Sequence, residues 1–165
     1  MTFGRPGRLE AGHDVSRFSS GEAALDDWLR RYARTNQAAG NATTFVSVKN
    51  DQVAGYFCLS TSAVARHDAV PRATKGGAPD PIPAILLGRL AVGAKFQGQG
   101  LGSHLLADAI RRALTVERLI GVRVMLAHAI NSDAVAFYQR YGFQPSPVDP
   151  LTVMLLMKDA RKPAG

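Results

Sequence analysis

Gln97-Gly98-Gln99-Gly100-Leu101-Gly102 constrains this 165-residue chain more than any other stretch. An apolar run, Ile85 to Val92, precedes it and reads as a buried strand. A long amphipathic stretch follows and reads as a helix. Glycines therefore alternate at a helix start, where backbone N–H groups lack helical partners and the helix dipole is positive. Glycine lets an anion such as a phosphate come close to that backbone. The segment reads as an anion cradle on a strand–turn–helix unit. The plain alternative is a tight connection that binds nothing.

The rest of the chain supplies the layers such a unit needs. Ser19-Ser20-Gly21-Glu22 fits a capping box, with Ser19 as N-cap and Glu22 three residues on. Leu25, Trp28, Leu29 and Tyr32 mark one face of the helix it would open, and Gly40 is a plausible stop. Thr43 to Lys49 reads as a strand, Asn50-Asp51 as a turn and Gln52 to Ala63 as its hairpin partner. Arg66 to Ala84, rich in Pro and Gly, reads as a long loop of the kind that is often functional or disordered. After the glycines, Leu101, Leu105, Ala109 and Leu114 mark the buried side of a helix broken at Gly121, with Arg111 and Arg112 outward. Val122 to Ala129 reads as a strand. Asn131-Ser132-Asp133 opens a shorter helix that ends at Gly142, and Leu151 to Met157 reads as a last strand. Strands and helices alternate in the second half, which predicts an α/β sheet with at least one parallel pair.

The length suits a single domain, residues 1–165, with its core over about 18–158. No run is long and apolar enough for a transmembrane helix, the N-terminus lacks the apolar centre of a signal peptide, and the single cysteine, Cys58, cannot form an internal disulfide. These features predict a cytoplasmic protein with no membrane partner. The net charge of +7 points to a polyanionic partner, nucleic acid being the commonest, or equally to a merely solvated basic surface. The basic residues (Arg30, Arg31 and Arg34; Arg111, Arg112 and Arg118) are dispersed, which predicts charge spread over a folded surface instead of a tail.

Two familiar phosphate-binding patterns fail. From Gly98, a G-x-G-x-x-G fingerprint would need glycine where Ser103 stands, and a P-loop needs a lysine that does not follow Gly102. Gln97, Gly100 and Gly102 instead match the Gln/Arg-x-x-Gly-x-Gly/Ala signature of the GNAT superfamily of acyl-CoA-dependent N-acetyltransferases. Downstream, Ala136-Phe137-Tyr138-Gln139-Arg140-Tyr141-Gly142-Phe143 resembles that family's Ala-x-x-Phe-Tyr-x-x-x-Gly-Phe segment. Several further segments are similar to the acetyltransferase toxins of type II toxin–antitoxin systems. These are Leu87-Gly88-Arg89-Leu90-Ala91-Val92, Leu25-Asp26-Asp27-Trp28-Leu29, Gly55-Tyr56-Phe57-Cys58-Leu59-Ser60, Pro81-Ile82-Pro83, Pro145-Ser146-Pro147 and Asp149-Pro150.

The resemblance implies an α/β (α+β) GNAT fold, a mixed central sheet flanked by helices. It implies that the backbone of Gln97, Gly98, Gln99, Gly100, Leu101, Gly102 and Ser103 holds the pyrophosphate of acetyl-CoA. It assigns Leu90, Ala91 and Val92 to the pantetheine arm and the thioester oxygen. Asn131 matches a side chain that contacts the same arm, or is simply an N-cap. Phe137 either lines the cofactor channel or packs the core. Tyr138 is the catalytic candidate, a general acid for the leaving thiolate, against the plain reading of a core tyrosine. A phenol of ordinary pKa about 10 can hydrogen-bond or protonate a developing thiolate, whose acid has a pKa of about 8.5. Arg89, a charge inside a buried-looking strand, needs a partner: a tRNA phosphate or 3′-end, or an internal carboxylate. His128 lies at a strand end, within reach of a site or structural. His13, His67 and His104 show no metal-ligand spacing and no metal is expected. Cys58 and Trp28 read as core.

Members of the toxin group acetylate the α-amino group of aminoacyl-tRNA and stop translation. They pair with a ribbon-helix-helix antitoxin, bind operator DNA with it, and are commonly dimeric. An α-amine has a pKa of about 7.7–8.0 against about 10.4 for lysine, so an appreciable fraction is nucleophilic at neutral pH and the absence of a motif carboxylate agrees with such an acceptor. The same fold could serve a small-molecule or protein amine, and a non-enzymatic antitoxin-binding subunit is the third reading. The basic charge favours the first of these, and the intact cradle with Tyr138 disfavours the last.

Overall fold

The computed structural model describes residues 3–162. Its strands are β1 (Gly7–Arg8), β2 (Thr43–Lys49), β3 (Gln52–Val64), β4 (Ile82–Val92), β5 (Val124–His128), β6 (Gln144–Pro145) and β7 (Thr152–Leu156). The helices are α1 (Ala23–Asp27), α2 (Ala33–Ala38), α3 (Leu101–Glu117), α4 (Ser132–Gln139) and α5 (Met157–Ala160). Among the described residues the strands hydrogen-bond in the order β1-β2-β3-β4-β5-β7-β6. β4 and β5 run parallel from Ala84↔Val124 to Leu87↔Ala127, and β5–β7 and β6–β7 are antiparallel. This is the mixed sheet flanked by helices that the family resemblance implied, and it contains the parallel pair that the element pattern predicted. No helix among the described residues is long and apolar enough to cross a membrane.

Contacts divide the chain into two compact units. The first takes the chain up to Ser60 together with Arg89–Ala109, and the second takes Thr61–Gly88 and the chain from Ile110 on. β4 and α3 each start in one unit and end in the other.

In the first unit, β2 and β3 form the expected hairpin. Asn50 and Asp51 turn it with positive φ angles of 53° and 60°, the left-handed pair a two-residue hairpin needs. Its core gathers Leu9, Val15, Phe18, Leu29, Ala33, Val46, Val53, Tyr56 and Ala91. Gly55 lets β3 approach α3: a Cβ there would lie 2.9 Å from Leu105 Cδ1 and 3.1 Å from both Ala91 O and Leu101 Cδ2.

Two expectations fail here. The capping box does not form, since the helix starts at Ala23 and Glu22 makes no side-chain cap. Ser20 is engaged elsewhere: its N–H and hydroxyl both donate to the carboxylate of Asp26, a residue 5% exposed that needs those donors. The apolar face also breaks. A π-helical turn, Trp28–Tyr32, separates α1 from α2 and adds a residue to the repeat. Leu29 and Ala33 stay buried, and Tyr32 is thrown outward at 52% exposure.

In the second unit, Val64, Ala69, Val70, Ala73, Ala78, Ile82, Ala84, Val124, Leu126, Met154 and Leu156 form one apolar cluster. The segment read as a loop over 66–84 thus packs into the core. It coils into 3₁₀ turns at Arg66–Asp68 and Pro71–Thr74, and β4 starts at Ile82, three residues before the expected start. The prolines that suggested a loop hid those apolar residues. α3 stops at Glu117, before Gly121, and buries Ala113 where Leu114 was expected. α4 opens as expected, with Asn131 Oδ1 accepting from Ala134 N at 2.9 Å, and closes at Gly142, whose φ is 95°.

Candidate active site

The glycine segment lies in the first unit, where β4 hands over to α3. Gly98 and Gly100 have φ of 78° and 84°, a region costly for residues with a Cβ. Nothing lies within 4 Å of where a Cβ would stand at either, so they leave open space above the helix start. Gly100 O accepts from His104 N at 3.1 Å and closes the first turn of α3. Leu101 is 1% exposed, so its side chain belongs to the core and only its backbone can serve a ligand. Gln97 to Gly100 are exposed.

Two layers of hydrogen bonds hold this loop, and the sequence reading missed both. Gln97 Nε2 donates to Ser20 O (2.9 Å) and Val92 O (3.0 Å). Gln97 thus contributes as a brace that fixes the loop against the end of β4. Ser20 is in turn held by Asp26, and Ala94 N donates to Ser19 O at 2.7 Å. Asp26 carried only weak sequence signal, an acidic residue among the apolar positions of an amphipathic helix.

Arg89 is half-buried in β4 and its guanidinium stands 4.4 Å from the centre of the Trp28 ring. Trp28 stacks on Tyr56 at 6.0 Å and 10°. The Tyr56 hydroxyl, fully buried, donates to Leu25 O at 2.7 Å, and burial pushes its pKa well above the usual phenol value. Of the alternatives for Arg89, an internal carboxylate is not found among the described residues; the aromatic face of Trp28 holds the cation. Trp28 is half-buried, not the full core residue expected. Leu90 and Val92 are half-buried and Ala91 is buried on the same strand.

In the second unit, Tyr138 lies on α4 at 5% exposure, its ring 5.3 Å from both Phe137 and Phe143. Phe137 is half-buried, with Tyr141 at 5.4 Å, so it lies at the boundary and not in the core. Asn131 spends Oδ1 on the helix cap and is otherwise exposed. His128 ends β5, exposed, with Nδ1 3.1 Å from Thr152 Oγ1. Cys58 is buried at 2%, as expected, and no group of metal-ligating side chains occurs among the described residues.

Part of the positive charge is turned inward. Arg30 donates to Phe18 O, Arg34 to Glu10 O and His13 O, and Arg66 to Ala78 O. In the second unit Arg72 pairs with Asp159 and Arg161 with Glu117. A helix-start cradle with empty space above it fits a diphosphate, and a buried phenol one helix away from an exposed strand end fits proton transfer.

An acetyltransferase (GNAT) domain model matches residues 40–145. The chain is 47% identical, over 99% of its length and 98% of the relative's, to a tRNA-acetylating toxin of Mycobacterium tuberculosis (strain ATCC 25618 / H37Rv). Among solved structures, AtaT complexed with acetyl-methionyl-tRNAfMet superposes with a TM-score of 0.86 at 27% identity, covering 93% of this chain and 94% of that one. A tyrosine-to-phenylalanine mutant of AtaT, bound to the C-terminus of the antitoxin AtaR and acetyl-CoA, superposes with a TM-score of 0.83 at 26% identity, covering 97% and 96%.

Proposed function

The chain belongs to the GNAT acetyltransferase family, and from that premise we propose that it is a toxin that acetylates the α-amino group of aminoacyl-tRNA and so blocks translation. The observation that carries this reading is the 47% identity, end to end, with a tRNA-acetylating toxin. The net charge of +7 supports a polyanionic acceptor.

Acetyl-CoA supplies the acetyl group as a thioester. The chain's own groups take the roles that the family resemblance implies. The backbone N–H groups at Gly98–Ser103 receive the pyrophosphate, in space kept free by the two left-handed glycines. Gln97 holds those groups in place through Val92 and Ser20. Backbone groups of Leu90–Val92 would orient the pantetheine arm, and one N–H there would stabilise the charge that develops on the thioester oxygen. Asn131 starts the helix that carries Tyr138, and Phe137 shields that phenol from water. Tyr138 gives its proton to the departing sulfur. Arg89, fixed over Trp28, meets a phosphate or the 3′-end of the acceptor. The reading takes residues 1–165 as one acetyltransferase domain. It places the protein in the cytoplasm, as a homodimer neutralised by a ribbon-helix-helix antitoxin that carries the pair to operator DNA.

The test is label transfer. The protein is incubated with labelled acetyl-CoA and charged tRNA, uncharged tRNA or free amino acids. Label on charged tRNA alone is expected. Transfer to free amines with none to charged tRNA would overturn the reading.

A further inference from the structure

A hydrogen-bonded chain ends at His128. Asp149 Oδ1 accepts from Leu151 N at 3.0 Å, and Asp149 Oδ2 accepts the Thr152 hydroxyl at 2.7 Å. Thr152 Oγ1 in turn lies 3.1 Å from His128 Nδ1. β5 and β7 place the two side chains opposite each other, in the register His128↔Thr152.

The proton positions follow. The Thr152 hydroxyl and the Leu151 N–H hold the Asp149 carboxyl below its ordinary pKa of 3.8, so near neutral pH it is ionised and only accepts. Thr152 has one hydroxyl proton, and it points to Asp149. Toward His128 the hydroxyl therefore shows only a lone pair. Nδ1 must donate, and the neutral ring then carries its free lone pair on Nε2. The arrangement fixes one tautomer, as an orienting carboxylate does in a nucleophile–histidine triad, with a hydroxyl interposed.

The place matters as much as the tautomer. His128 is exposed and is the last residue of β5, while the parallel pairing with β4 stops one residue earlier, at Leu87↔Ala127. Ligands of α/β sheets bind beyond the carboxyl ends of parallel strands. Three residues on, Asn131 opens α4, which carries Tyr138. One strand end thus presents a base and the following helix an acid.

We infer that His128 is the general base of acetyl transfer, with Thr152 and Asp149 as positioning residues. The inference deepens the proposed function and rests on it. The α-amine nitrogen bonds to the acetyl carbon and the carbon–sulfur bond breaks. Nε2 of His128 takes the proton the nitrogen loses, and Tyr138 gives one to sulfur. The tyrosinate and imidazolium then re-equilibrate with water, so the amide and free thiol are the only net products. A base matters even for an α-amine, because the nitrogen must shed a proton as it becomes an amide. Among the described residues, Asp149 is the charged group that faces His128, through the Thr152 hydroxyl.

Two measurements test this. In the wild type, kcat/KM for charged tRNA falls on the acid side with a slope of about two, because amine and imidazole must both be unprotonated. His128→Gln is expected to lower kcat about a hundredfold, leave acetyl-CoA affinity unchanged and reduce that slope to about one. Added imidazole partly restores a His128→Ala variant. Thr152→Val, which keeps the shape, loses several-fold. Independently of activity, nitrogen NMR of the histidines shows His128 as the Nδ1–H tautomer in the wild type and a mixture in Thr152→Val. An Nε2–H tautomer, or His128→Gln turning over at the wild-type rate with a slope of about two, overturns the inference while transfer to charged tRNA stands. Failure of the wild type to acetylate charged tRNA overturns the proposed function instead, and the NMR result is unaffected by it.

Discussion

Single side chains divide the labour in ways that substitution can separate. Tyr138 is buried against Phe137 and Phe143, and Tyr138→Phe keeps both ring contacts while removing only the hydroxyl. That variant is expected to fold, bind acetyl-CoA with wild-type affinity in calorimetry, and lose about a hundredfold or more in kcat. Gly100 acts through its backbone. Because its φ is 84°, Gly100→Ala costs roughly 1–2 kcal/mol of stability and puts a methyl into the open space where the proposed function seats the pyrophosphate. Its acetyl-CoA affinity is expected to fall at least about tenfold, with the melting temperature slightly lowered. Arg89 is held by an aromatic face, and the proposed function gives its charge to the acceptor. Arg89→Gln should raise KM for charged tRNA several-fold and leave KM for acetyl-CoA alone. A change in the acetyl-CoA value would move Arg89 to the donor side.

At the level of elements, the helix-start cradle depends on neighbours far away in sequence. β3 carries Gly55 against Leu101 and Leu105, and the Ser20–Asp26 pair reaches the loop through Gln97. Gly55→Ala would overpack that contact by about 1–3 kcal/mol, and should weaken acetyl-CoA binding although Gly55 touches no ligand. α5 is tied down by Arg72–Asp159, which holds the Asp159 carboxyl below its ordinary 3.8. A depressed folded pKa gives stability that is present above the unfolded value and lost as pH falls through the folded one. Acid melting of Arg72→Gln should therefore show a shallower loss between pH 5 and about pH 3 than the wild type does.

The same scale explains what could be read in advance. Gly-rich turns, the Asn50-Asp51 hairpin and the Asn131 cap are local signals, and each reads directly from a few residues. The brace around Gln97 joins residues 77 positions apart, so no window of sequence contains it. The 66–84 segment misled because prolines set its backbone while Ala69, Val70, Ala73 and Ala78 set its burial. The π-helical turn moved Tyr32 outward because a helical periodicity presumes an unbroken repeat. Tyr138 was singled out by the family resemblance of its Phe-Tyr…Gly-Phe segment; spacing alone favours a core tyrosine. The pairing of His128 with Thr152 needed the β5–β7 register.

Over the whole molecule, charge and chemistry point to the same acceptor. The chain carries a net charge of +7, and several of its arginines clamp internal carbonyls or carboxylates. Binding of tRNA should accordingly weaken with salt, with a log–log slope steeper than about −2, while acetyl-CoA binding changes much less. The most direct measurement is the mass and position of the modification. Charged tRNA is treated with protein and acetyl-CoA, digested with ribonuclease, and its aminoacyl-adenosine fragments are sequenced by mass. One acetyl group on the α-amine is expected with the wild type and almost none with Tyr138→Phe. An acetyl group on a base, a ribose or a side-chain amine, or equal modification by both proteins, would contradict the account.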